Sequence, residues 1–112
     1  HLGAGGRATL VSHFVDAAYE RVSLTIGGAP RHVADTVCAV AARALDGRLD
    51  LHKHRGTHPT IGVVDHVSVH PLGPATPMAV AREAARDVGR ELGRLGVNIS
   101  ESRGAFHVID QR

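Results

Sequence analysis

The spacing of the apolar residues changes along this chain, and each change restricts what the segment can become. Over residues 8–15, Leu10, Ser12 and Phe14 alternate with Thr9, Val11, His13 and Val15, the two-residue repeat of a β-strand. Residues 21–26 alternate again, with Val22, Leu24 and Ile26 on one face, so the short connection 16–20 predicts a hairpin. Past Gly27-Gly28 the period lengthens. Val33, Val37, Val40, Ala41, Ala44 and Leu45 recur at helical spacing, with Pro30 suited to the first turn and Gly47 to the stop.

The second half repeats the alternation of types. Residues 61–70 read as a strand, closed by Pro71, Gly73 and Pro74. Thr76 is the expected N-cap of the longest helix and Pro77 its first residue. Its apolar stripe is Ala81, Ala84, Ala85, Val88, Leu92 and Leu95, and Gly96 stops it. The opposite face carries Arg82, Glu83, Arg86, Asp87, Arg90, Glu91 and Arg94, a solvated row in which Glu83–Arg86 or Glu91–Arg94 can pair. Residues 97–100 read as a short strand and 101–112 as a partial helix.

That order predicts an α/β (α+β) domain covering residues 1–112, a ferredoxin-like open sheet of four or five mostly antiparallel strands with the helices packed on one face. Val37, Val40, Leu45, Val88 and Leu92 are its expected core. Phe14, Tyr19 and Phe106 are the only aromatic residues, so Val, Leu, Ile and Ala must fill the interior.

Composition narrows the function classes. No apolar run approaches the roughly 20 residues that span a bilayer, and no signal-peptide pattern is present, so no membrane partner is expected. Cys38 is the one cysteine; an intramolecular disulfide is excluded and a reducing, cytoplasmic setting is expected. On its helix Cys38 reads as a small buried apolar residue rather than a nucleophile. Thirteen basic residues against eleven acidic ones leave +2, with the signs interspersed. Nucleic-acid binders cluster basic residues, often beside stacking aromatics, so no nucleic-acid partner is expected.

The segment 52–62 concentrates chemistry: His52, His54 and His58 with Arg55, between Gly56 and Gly62. Imidazole titrates near neutrality, so a histidine on a rigid turn can take and return a proton. The two glycines permit close approach of a ligand to backbone, and Pro59 fixes the chain after His58. Three uses fit these residue types. Three histidines and a water could hold zinc, although no HExxH helix is present and Gly56 and Pro59 oppose a helical display. The imidazoles could cap backbone groups in a structural turn. Or the turn could transfer protons and bind an anion.

The run His54-Arg55-Gly56-Thr57-His58-Pro59-Thr60-Ile61-Gly62-Val63-Val64-Asp65 resembles the H-x-G-x-H-P-x-x-G-x-x-D signature of the N-terminal subdomain of glutamate formiminotransferases. His70-Pro71-Leu72 continues the likeness to short, single-subdomain relatives, and residues 14–22 resemble their strand–turn–strand segment. In full enzymes of that family a second subdomain packs against this one, with tetrahydrofolate between them, and the formimino group passes from formiminoglutamate to folate N5. The resemblance therefore implies a folate-dependent one-carbon (formimino or formyl) transferase with tetrahydrofolate as co-substrate. It places the general acid/base on His58, the supporting carboxylate on Asp16 and the strand-start arginine on Arg21. His54, Arg55, Gly56, Gly62 and Arg103 complete the implied substrate-binding set, with no metal.

Several positions depart from the family pattern. Thr60 replaces a basic residue after His-Pro, Glu20 replaces the usual Asn before the strand arginine, and the 16–21 connection is short. The second subdomain is read as absent. Residues 98–103 and 108–112 resemble the N-terminal strand and first helix of the short relatives, which implies a circular permutation or a swap. In that order Arg103 would supply the positive charge for a carboxylate that Thr60 does not carry. The alternative function is a non-catalytic ligand-binding or assembly module retaining the pocket. A lone subdomain exposes the surface its partner would cover, so a homo-oligomer is expected.

Overall fold

The computed structural model describes residues 8–46, 53, 55–56, 63–64 and 66–96, with the backbone of strands 98–102 and 105–109. In chain order these give β1 (Thr9–Asp16), β2 (Arg21–Gly27), α1 (Pro30–Ala44), β3 (His66–Ser68), α2 (Met78–Arg94), β4 (Asn98–Ser102) and β5 (Ala105–Ile109).

β1 and β2 form the expected hairpin, antiparallel from Thr9↔Gly27 to Asp16↔Arg21, with a register shift between Leu10 and Ser12. β5 lies between β3 and β4 and is antiparallel to both, with Val67 opposite Phe106 and Ser100 opposite His107. The result is the mixed α/β, antiparallel architecture of the ferredoxin-like class, with two helices packed together. Its described strands hydrogen-bond as a two-stranded and a three-stranded sheet rather than one continuous sheet.

The two helices meet through small side chains. Ala34, Ala41 and Leu45 follow one line along α1 and its end; Ala85, Val88 and Leu92 follow another along α2, and Val88 and Leu92 are fully buried. Alanines at the contact allow the backbones to come close, while Val63, Val64, Val67 and Val69 pack against the same cluster from the β3 side. Val40 belongs to the expected core but is 39% exposed. The buried line steps by four residues through Ala41, and Val40 is turned about 100° away from it.

Pro30 is the first helical residue of α1, behind an extended Ala29, as its missing N–H and fixed φ favour. The start of α2 differs from expectation. Pro77 is itself the extended N-cap, and the Thr76 hydroxyl donates to the Leu72 carbonyl at 3.4 Å instead of capping the helix. That bond closes the preceding turn. Gly96 ends α2 in the left-handed region at φ 78°, where glycine carries no Cβ penalty.

Two further segments differ from the sequence reading. Residues 105–109 form a strand, not part of a helix, because Phe106, Val108 and Ile109 favour a pleated surface and β4 and β3 supply hydrogen bonds on both sides. Of the strand expected over 61–70, the described residues hold His66–Ser68. Gly47 lies outside the described residues.

The hairpin is exposed on both faces. Phe14 and Val15 are each 63% exposed, and Leu10, Val11, Val22 and Leu24 are exposed with them. At its root Gly27 is closely approached: a Cβ there would stand 3.1 Å from a Val11 methyl and 3.5 Å from a Leu72 methyl.

Candidate functional site

The tip of the hairpin brings acidic and basic side chains together. Asp16 ends β1, Arg21 opens β2, and they face one another across the ladder. Between them the chain turns in four residues. The Tyr19 N–H donates to Asp16 Oδ1 at 3.0 Å, and the Glu20 N–H to the Ala17 carbonyl at 3.3 Å. An aspartate accepting from an amide a few residues later is a standard way to close such a turn. Glu20 then takes φ 53°, the left-handed region that non-glycine residues seldom occupy.

The turn also holds a distant part of the chain. The Arg55 main-chain N–H donates to Glu20 Oε2 at 2.8 Å, a charge-assisted hydrogen bond across 35 residues. The Arg21 guanidinium lies over the Tyr19 ring, 4.8 Å from its centroid, within cation–π range. Asp16, Arg21 and Gly56 are half-buried, whereas Glu20 and Arg55 are exposed.

Thus the fold gathers Asp16, Arg21, Arg55 and Gly56 of the expected site residues. His54, His58, Gly62 and Arg103 lie outside the described residues, as do His52 and Thr60. Glu20 was visible in the sequence only as a replacement for Asn. The one signal of its role was an acidic side chain on a tight turn; nothing local named Arg55 as its partner.

Both carboxylates of the tip accept from main-chain amides, Asp16 from one of its own hairpin and Glu20 from that of Arg55. Among the described residues no group of three or more His, Cys, Asp or Glu could hold a metal ion. The three imidazoles of the zinc reading fall outside those residues. Among them too, no helix is long and apolar enough to cross a membrane.

Cys38 stands away from this tip, on α1. Burial first, then the negative charges of Glu91 and Asp35, push its thiol up to about 11. A thiol held protonated at neutral pH is a poor nucleophile, in agreement with the packing role read from the sequence.

Residues 3–107 match the family described as formiminotransferase domain, N-terminal subdomain. The chain is also 38% identical over 90 residues to a formiminotransferase cyclodeaminase-like protein of Arabidopsis thaliana, an alignment covering 73% of this chain and 30% of that protein. The chain therefore spans well under half the length of that relative. No solved structure matches it. The family match takes in the β4 residues in chain order, and a circular permutation is not shown. With nearly its whole length matched, the chain belongs to the formiminotransferase domain family, as an N-terminal subdomain.

Proposed function

We propose that this chain is the N-terminal part of a folate-dependent one-carbon transferase, moving a formimino or formyl group, with His58 as general acid/base. The observation that carries the reading is the family match, which spans the hairpin tip and the histidine turn together. The folate amine N5 attacks the formimino carbon of a formiminoglutamate-type donor. His58 takes the N5 proton as the new C–N bond forms and returns it to the donor nitrogen as the old C–N bond breaks. Asp16 orients the imidazole through its second carboxylate oxygen, since Oδ1 already accepts from Tyr19. Arg21 or Arg55 binds a ligand carboxylate, for which the planar guanidinium is well shaped. His54, Gly56 and Gly62 complete the substrate-binding set. Arg103 takes the role that the family's basic residue would have at position 60.

A second reading, a non-catalytic ligand-binding or assembly module, is favoured by the exposed apolar hairpin and by Thr60. A homo-oligomer fits either reading, because contiguous apolar surface of this kind is usually covered by a partner.

Calorimetry with tetrahydrofolate or its 5-formyl form, paired with a turnover assay, separates the readings. Under the transferase reading the wild type binds and turns over, and His58→Ala loses about 100-fold or more in kcat. Wild-type binding without turnover selects the module. No binding by the wild type removes folate from the proposal.

A further inference from the structure

We propose that Glu20 is a positioning residue for the histidine turn, its carboxylate holding the Arg55–Gly56 backbone against the end of the β1–β2 hairpin. The inference deepens the transferase reading above and rests on it for its catalytic consequence.

The anchor side of the contact is well fixed. Asp16 and Arg21 are paired across the ladder, the Asp16 carboxylate accepts from Tyr19, and the Ala17 carbonyl accepts from Glu20 itself. The held side needs fixing. Arg55 is followed by Gly56, whose backbone has the widest conformational range of any residue, and the pair sits in the chain between His54 and His58. A 2.8 Å bond from the Arg55 N–H to Glu20 Oε2 restricts the backbone where that pair begins.

The residue type at position 20 agrees with this role. At φ 53° a glycine or asparagine would sit more easily than a glutamate. An outlying backbone conformation kept on a long acidic side chain points to a use for the side chain. The Glu20 side chain thereby ties two segments 35 residues apart.

The consequence is specific. Misplacing a proton-transfer group costs rate more than it costs affinity, since the reacting atoms must be held within a fraction of an ångström. Loss of the Glu20 carboxylate should lower kcat while KM moves little. Glutamine keeps an acceptor oxygen at the same reach and should restore most of the effect.

The test uses the full chain as wild type, Glu20→Ala and Glu20→Gln, with residue-resolved amide hydrogen exchange and turnover of a formiminoglutamate-type donor. In Glu20→Ala the Arg55 amide is expected to exchange about tenfold faster, with Val88 and Leu92 in the core unchanged. Its kcat should fall about tenfold or more with KM within about threefold, and Glu20→Gln should recover both signals. An Arg55 amide that exchanges alike in wild type and Glu20→Ala overturns the inference. So does acceleration shared equally by Val88 and Leu92, which would mean general destabilisation, and so does a glutamine variant as impaired as the alanine one. If the wild type neither binds folate nor turns over, the transferase reading fails by itself, and Arg55 exchange still decides whether Glu20 holds the turn.

Discussion

The Arg21 guanidinium rests over the Tyr19 ring at 4.8 Å, two residues back along the same tight turn. An arginine supported on an aromatic face loses less freedom when it meets a carboxylate, and the contact itself contributes about 0.5–1 kcal/mol at an exposed site. Tyr19→Leu should therefore weaken 5-formyltetrahydrofolate binding about two- to fivefold by calorimetry. Tyr19→Phe, which keeps the ring, should bind as the wild type does. Equal loss in both variants would assign the effect to the hydroxyl and remove the stacking account.

Leu92 is fully buried in the cluster between the helices, so shortening it leaves a cavity there. Leu92→Ala should cost about 2–5 kcal/mol of stability in denaturant titration. Val40→Ala, on the same helix pair but 39% exposed, should cost less than about 1 kcal/mol. Similar losses at the two positions would contradict the burial pattern.

The same glycine-to-alanine change should have opposite signs three residues apart. Gly93 lies inside α2 and Gly96 just past it at φ 78°, and a Cβ at either would meet nothing within 4 Å. Conformation alone then decides. Gly93→Ala should raise stability by about 0.5–1 kcal/mol, and Gly96→Ala should lower it by about 1 kcal/mol. Thermal melts of the two variants read the signs directly.

Cys38 links stability to alkaline pH. Its thiol is pushed from 9.0 up to about 11 in the fold, so the folded chain keeps its proton where the unfolded chain has given it up. The contribution is full below about pH 9 and is lost as the pH climbs through about 11. Denaturation midpoints should fall between about pH 8 and about pH 10.5 in the wild type more steeply than in Cys38→Ala. Parallel slopes would show that the thiol plays no part. Alkylation at neutral pH should be slow for the same reason.

The hairpin surface should drive self-association. Phe14 and Val15 are among its most exposed apolar residues. Light scattering from micromolar to millimolar concentration should show a dimer, and Phe14→Ser with Val15→Thr should shift it toward monomer. A monomer throughout the wild-type range would end the idea.

What the sequence determined by itself is local. The alternation over 8–15 and 21–26 became β1 and β2, Pro30 opened α1, and Gly96 closed α2, because period, proline and glycine act through the backbone within a few residues. The resemblance carried by His54–Asp65 was equally legible, and it is the family that the chain belongs to. Tertiary structure decided the rest. Thr76 had the chemistry of a cap, yet its hydroxyl turned to Leu72. Residues 105–109 became a strand once β3 and β4 offered ladders on either side, and Val40 turned to solvent because the α1–α2 contact follows Ala41 instead. Glu20 shows the limit most plainly. Its side-chain type was readable, but its partner is a backbone amide 35 residues away, and every non-proline residue carries such an amide. Only the packing of the chain selects which amide comes within reach.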